Sequence, residues 1–209
     1  MKKYKVDLYK IRNKGRTLKI LVFPKLTEEA WAYDDYPEES QLMLDGSISF
    51  MRQVQVALAA LIEDPSVIAY FPIKNKNCTR FGRHMTFDAV LLQPELQFKL
   101  SEWYDIKDKL DRRHWVGKYK IRHNEKQLVD LWKKEYQHQY WKVAWDRKNE
   151  KLIGDTVFLV LPKSVCLEYH YDISDSAEEY SPNDDYGTFA GIGYIIPPPK
   201  EQKANNKQQ

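Results

Sequence analysis

Residues 47–73 read SISFMRQVQVALAALIEDPSVIAYFPI, the longest apolar stretch of the chain. Up to Pro65 its apolar residues recur at spacings of three and four, which is typical of a helix that buries one face. The residues of this stripe are Met51, Val54, Leu58 and Leu61. Those expected on the opposite side are Arg52, Gln53, Gln55 and Ala59. After Pro65, residues 67–71 have the composition of a short buried strand. The stretch therefore predicts a core helix followed by a core strand.

The rest of the chain predicts an α+β fold with a mainly antiparallel sheet and about three helices. Alternating patterns predict an N-terminal hairpin from residues 3–11 and 17–23. Further strands are expected at residues 86–92, 155–161, 165–171 and 189–196. One helix is expected to start at Ser101, run through Trp103, Ile106 and Leu110, and end near residues 112–117. A second, capped by Asn124, is expected over roughly twenty residues. The acidic residues 26–46 predict a surface loop with a short helical turn at residues 27–32.

A chain of 209 residues suits one domain, which we place at residues 1–199. Residues 200–209 are polar and are expected to form a disordered tail. Only Cys78 and Cys166 carry thiols, which favours a reduced pair in a cytoplasmic protein. No apolar run reaches the length of about 18 residues that a membrane span requires, so no membrane partner is expected.

Charge is segregated along the chain. Residues 1–25 hold nine bases and one acid, and residues 107–151 hold fourteen bases and seven acids. Residues 26–45 and 168–185 each hold seven acids and no base. These blocks either neutralise each other in the fold, or the basic blocks share one face.

Aromatic residues are interleaved with the bases in residues 74–84 and 107–145. This combination is typical of nucleic-acid contact, because bases stack on aromatic rings and arginines bind phosphates. The alternative interpretation of residues 74–84 is a solvated hairpin loop. The N-terminal hairpin also carries bases on its polar side, which either grip a phosphate backbone or protect a sheet edge against aggregation: Lys3, Lys5, Arg12, Lys14, Arg16 and Lys19. The candidate nucleic-acid-binding residues are Lys74, Lys76, Arg80, Phe81, Arg83, Arg112, Arg113, Trp115, Lys118, Tyr119, Lys120 and Arg122.

Standard catalytic motifs are absent from the sequence, so we expect no cofactor. One trio of residues has the chemistry of a metal or acid–base group, and a surface network is the alternative interpretation. That trio is Glu168, His170 and Asp172, which would point the same way on a strand. The acids of residues 34–39 lack the spacing of a dedicated cation loop, and no metal is expected. Asp88 interrupts an apolar strand and is either paired or part of a site.

Two functional hypotheses follow. The first is a non-catalytic accessory protein that binds single-stranded DNA or RNA through a basic, aromatic surface. The second is a protein–protein interaction module, such as an inhibitor or assembly component of a phage or mobile element, whose charged patches meet an acidic protein partner. One continuous basic face would favour nucleic acid, and interdigitated patches would favour a protein.

Overall fold

The computed structural model describes residues 2–24, 30–35, 41–46, 48–72, 79–80, 83–84, 88–136, 150–153 and 156–179. Its strands are β1 (Lys2–Asn13), β2 (Arg16–Val22), β3 (Ala30–Asp35), β4 (Gln41–Gly46), β5 (Val67–Phe71), β6 (Thr79–Arg80), β7 (Arg83–His84), β8 (Asp88–Leu92), β9 (Trp115–His123), β10 (Glu150–Ile153) and β11 (Thr156–Val160). Its α-helices are α1 (Ile48–Glu63), α2 (Leu100–Lys107), α3 (Glu125–Tyr136) and α4 (Lys163–Glu179). The predicted strand at residues 189–196 and the predicted tail at residues 200–209 lie outside the described residues.

Seven strands form one sheet in the order β10-β11-β8-β5-β2-β1-β9. Four neighbouring pairs are antiparallel, and the pairs β2–β5 and β8–β11 are parallel. The predicted α+β class and mainly antiparallel sheet are therefore confirmed, with four α-helices in the described residues instead of about three. Parallel neighbours need a crossover connection, and α1 lies in the connection between β2 and β5.

The N-terminal hairpin is confirmed. Lys14 and Gly15 join β1 to β2 with positive φ angles of 46° and 80°. Two-residue turns of this kind match the twist of the flanking strands, and glycine adopts the second position without strain. Asn13 is consequently paired with Arg16, which sets the register of the hairpin.

Both faces of the central sheet are buried. On one face, Leu58 and Leu61 of α1 belong to a cluster that includes Val67, Phe71 and Leu159. On the other face, Trp103 and Ile106 of α2 belong to a cluster with apolar residues of five strands, Ile11, Ile20, Ile68, Val90 and Phe158. Every residue of β5 and β8 is buried, as expected for strands covered on both sides. The predicted core helix and core strand are confirmed.

The expected polar side of α1 is only partly polar. Gln55 and Ala59 are buried, and α4 packs against α1. Arg52 remains exposed. The helical stripe identified a buried side of α1, but it gave no sign of the second helix that packs against it.

Two predicted elements were wrong. Residues 30–35 and 41–46 are not part of a loop, because β3 and β4 pair in an antiparallel hairpin in which Ala30 is opposite Gly46. Residues 27–29, the start of the predicted helical turn, lie outside the described residues. Residues 165–171 are not a strand, because they lie within α4. Val165, Cys166 and Ile173 recur at helical spacing, and packing against α1 favours that period over the competing alternation.

Polar contacts hold the short helix α2 on its face of the sheet. The Arg16 guanidinium donates to the Leu96 carbonyl at 2.8 Å and to the Glu102 carboxylate at 2.8 Å. It also lies 5.6 Å from the Phe98 ring centroid. The Glu102 carboxylate accepts the Lys99 backbone N–H at 3.0 Å, which caps the first turn.

Candidate nucleic-acid interface

The outer strands β1 and β9 carry bases at directly opposite positions. Their antiparallel register places Lys3 opposite Arg122, Lys5 opposite Lys120, and Asp7 opposite Lys118. Directly opposite residues share one face of a sheet, so these side chains lie together. We call this set the basic strip: Lys3, Lys5, Asp7, Lys118, Lys120 and Arg122. All five bases are exposed.

The face that carries the basic strip is open because the apolar residues of both strands point to the opposite side. Val6 and Ile121 are buried in the cluster built on α1, and Tyr4 packs against that cluster. Side chains alternate along a strand, so the residues between them face away from α1. Helix α1 thus covers one face of β9, while the basic strip is on the other face.

A β-bulge brings an aromatic ring onto this open face. Leu8 is opposite Gly117, but the next residue, Tyr9, is opposite Trp115, so Val116 is the extra residue of β9. Regular alternation would have turned Trp115 toward α1, and the bulge reverses that direction. Gly117 adopts a φ of 143°, which side chains rarely tolerate. Trp115 is 48% exposed beside Asp7.

Asp7 is the one acid of the basic strip. Its Oδ1 atom accepts hydrogen bonds from Lys118 Nζ at 2.8 Å and from Trp115 Nε1 at 2.7 Å. The Lys118 hydrogen bond is the largest effect that lowers the pKa of Asp7, and it outweighs the opposing effect of burial. The carboxylate is therefore ionised at neutral pH. It also holds the Trp115 indole in one orientation.

Like charges face each other at two successive positions of the basic strip. In an antiparallel pair, directly opposite side chains have Cβ atoms about 4.5–5.5 Å apart, and like charges there are destabilising. Successive residues on the same face of one strand are roughly 6.7 Å apart. Within the described residues, Lys3, Lys5 and Lys120 form no ion pair. Arg122 is near Glu63. Burial raises the pKa of the Glu63 carboxyl, and the charge of Arg122 offsets part of that rise.

The two arginines before β9 differ in their surroundings. Arg113 donates to Asp111 Oδ2 through Nε at 2.9 Å and through Nη2 at 2.6 Å. This pairing is the largest of the effects that lower the pKa of Asp111 to about 2. Arg112 is exposed. Both side chains are therefore accessible, and they differ in that the Arg113 guanidinium is already paired with a carboxylate.

Several of the predicted site residues are not in the basic strip. Tyr119 is half-buried and packs against the cluster on the α1 side, where burial is the largest of the effects that raise its pKa, so its ring is on the opposite face of β9 from Lys118 and Lys120. Alternation along β9 is the reason. Arg80 and Arg83 are opposite each other in the β6–β7 pair, and their side chains are not described. The remaining three, Lys74, Lys76 and Phe81, lie outside the described residues.

Lys3, Lys5 and Asp7 are the site residues that the candidate set lacked. The sequence does carry a signal for them, since the triplet Lys-Tyr-Lys occurs at residues 3–5 and again at residues 118–120. Two alternating strands with this triplet place their lysines on one face if they become neighbours. Their pairing was the missing information, because the two strands are far apart along the chain.

The proposed acid–base trio does not form on a strand. Glu168, His170 and Asp172 all lie in α4, where positions two residues apart point in different directions. His170 is fully buried, and burial raises the pKa of Glu168. In the described part of the chain, no group of three or more His, Cys, Asp or Glu residues is placed to hold a metal ion.

Asp88, the acid within a buried strand, is paired. Its carboxylate forms a salt bridge with Lys107 of α2. It also lies beside Tyr70, whose pKa is raised first by burial and then by the Asp88 charge. The carboxylate thus has two partners, and it links α2 to the sheet. Cys166 is a free thiol buried in the core, where burial raises its pKa.

Comparison of the chain with protein-family models, curated proteins and solved structures finds no match. Among the helices that the structure describes, none has the length and apolarity needed to cross a membrane.

Proposed function

We propose that this protein is a non-catalytic accessory protein that binds single-stranded nucleic acid through the basic strip and Trp115. The observation that carries the proposal is the placement of Lys5 opposite Lys120 and Lys3 opposite Arg122 on an open face. Opposite charges at facing positions of two strands stabilise a sheet, whereas like charges at those positions destabilise it. A ligand with repeated negative charge converts the repulsion into attraction.

Protection of a sheet edge is the alternative explanation of these charges. Lysines on an edge strand discourage pairing with another chain, and β9 is such an edge. The pairing of β1 with β2 begins at Asp7, so Lys3 and Lys5 lie on a segment of β1 that is hydrogen-bonded to β9 alone. Edge protection does not require bases directly opposite each other, whereas anion binding accounts for their placement on both strands.

The exposed ring favours a single strand over a duplex. Trp115 is at the end of the basic strip and is held in place by Asp7, so one of its faces is available as a stacking surface. Unpaired bases stack on such rings with about 1–3 kcal/mol per base. Bases inside a duplex are already stacked and present only their edges in the grooves. The buried free thiol of Cys166 fits a reducing compartment, and we propose a cytoplasmic location.

The test is fluorescence-anisotropy binding of labelled single-stranded DNA and RNA of mixed sequence, from low salt to about 150 mM, where exposed charges are screened beyond about 8 Å. Four phosphate contacts, to Lys3, Lys5, Lys120 and Arg122, predict a log–log salt slope of about −2.8. Lys5→Ala with Lys120→Ala should reduce the slope to about −1.4. Trp115→Ala should weaken binding at every salt concentration without changing the slope.

Lys10→Ala is the matched control, since Lys10 is an exposed lysine of β1 on the opposite face of the sheet. It should leave affinity and slope close to those of the unmodified protein. If the intact protein binds neither DNA nor RNA at about 150 mM salt, the proposal is wrong. The basic strip would then be a contact surface for an acidic protein partner.

A further inference from the structure

Asp7 is placed to read a base. We propose, on the basis of the proposed function, that Asp7 selects the base beside Trp115, that it prefers guanine, and that it rejects uracil and thymine. Asp7 is the single carboxylate among the five bases of the basic strip, a surface suited to phosphates. A phosphate avoids that carboxylate, so the part of a bound strand that lies next to Asp7 is a base.

The two oxygens of the Asp7 carboxylate have different surroundings. Lys118 and Trp115 both donate to Oδ1. Among the residues that the structure describes, Oδ2 accepts no hydrogen bond, and the side chain is 37% exposed. An ionised carboxylate only accepts hydrogen bonds, and each oxygen offers two lone pairs. Oδ2 therefore has acceptor capacity left for a ligand, on a partly exposed side chain beside the ring on which a base would stack.

The Trp115–Asp7 hydrogen bond gives this acceptor a defined position relative to the stacked base. The indole N–H donates to Oδ1 at 2.7 Å, so the ring and the carboxylate are oriented together. Lys118, the residue of β9 directly opposite Asp7, donates to the same oxygen at 2.8 Å. A base that stacks on Trp115 consequently presents its edge to Oδ2. The hydrogen-bond donors and acceptors on that edge then determine whether the contact with Oδ2 is favourable.

The edges of the four bases differ in their donors. Guanine has two adjacent donors, N1–H and N2–H₂, and both can approach one carboxylate oxygen. Cytosine and adenine have one amino group beside a ring nitrogen that accepts. Uracil and thymine have one N3–H group between two carbonyl oxygens, which repel the carboxylate. The expected order is guanine first, then cytosine and adenine, and then uracil or thymine.

The experiment uses homopolymer oligonucleotides of oligo-uridine and oligo-thymidine with one central position changed to guanine, cytosine or adenine. At about 150 mM salt, the unmodified protein should bind the central-guanine strand about 5- to 150-fold more tightly than the homopolymer, as for a good side-chain-to-base contact. Asp7→Asn keeps the shape of the side chain and its ability to accept from Trp115. It should abolish the preference for guanine, because an amide N–H₂ group can replace Oδ2.

The control is Asp105→Asn, which removes the charge of an exposed acid on α2 and should leave the preference unchanged. An Asp7→Asn variant that binds every oligonucleotide more tightly by the same factor would show that Asp7 acts through charge alone, and the inference would be wrong. Equal binding of all central bases by the unmodified protein would also overturn the inference, while the proposed function would stand. Absence of any binding overturns both.

Discussion

Reversal of the charge of Lys120 is expected to stabilise the fold while it weakens nucleic-acid binding. Lys120 is directly opposite Lys5 on the open face of β1 and β9. If their ammonium groups are about 6 Å apart in water, their repulsion is about 0.7 kcal/mol before screening. Lys120→Glu replaces that repulsion with a similar attraction. With screening at 0.1 M salt, the free energy of unfolding should rise by about 1 kcal/mol.

The gain in the free energy of unfolding is measured by urea denaturation and by thermal unfolding of Lys5→Glu, Lys120→Glu and the double variant. Each single variant should be more stable than the unmodified protein, by about 2–4 °C in melting temperature for a domain of this size. The double variant places glutamate opposite glutamate, so the two gains should not add. Salt at 1 M shortens the screening length to about 3 Å and should remove most of the effect.

Binding of single-stranded nucleic acid is measured for Lys120→Glu and for a control on the other face of β1. Lys120→Glu should lose affinity for single strands although it is more stable, whereas Lys10→Glu, on the opposite face of β1, should retain it. A Lys120→Glu protein that is no more stable at low salt would show that Lys5 and Lys120 do not face each other. A gain that persists at 1 M salt would show that its cause is not electrostatic. Either result refutes the reasoning behind the basic strip.

Two further predictions concern stability. Leu58→Ala should lower the free energy of unfolding by about 2–5 kcal/mol in urea denaturation, because Leu58 is fully buried, whereas Arg52→Ala on the exposed side of α1 should change it by less than about 0.5. An unchanged midpoint for Leu58→Ala would contradict the packing of α1. Lys107→Met should lower the free energy of unfolding by about 1–3 kcal/mol, because the buried Asp88 loses its charged partner. Lys109→Met, at an exposed position nearby, is the control and should leave the free energy of unfolding unchanged. Equal effects at the two positions would show that the Asp88–Lys107 pair contributes nothing.

Local pattern predicted those elements in which one period dominates. The spacing of Met51, Val54 and Leu58 predicted α1, and the apolar runs predicted β5, β8 and β11, because burial imposes these patterns directly. Asn124 was predicted as the cap of α3, and its side chain accepts the Gln127 backbone N–H at 3.3 Å.

Prediction failed where two periods coexist or where composition conceals a pattern. Residues 165–171 fit both an alternating and a helical pattern, and only the contact with α1 decides between them. The acids around β3 and β4 concealed a hairpin whose strands carry Trp31, Tyr33 and Leu42.

The candidate site was only partly predictable. Trp115, Lys118, Lys120 and Arg122 were identified from composition. Lys3, Lys5 and Asp7 required the pairing of β1 with β9, and the orientation of Trp115 required the bulge at Val116. Neither long-range pairing nor a bulge has a dependable signature in a single sequence.

The pairing of β1 with β9 also determines when the proposed binding surface can exist. Asp7 and Trp115 are separated by 108 positions in the chain, so their contact closes a long loop. Contacts of such high sequence separation slow folding. During synthesis, β1 leaves the ribosome first, and its lysines have no opposite strand until β9 has followed. The nascent chain therefore lacks the basic strip, and the protein acquires this surface only after most of its sequence has been made.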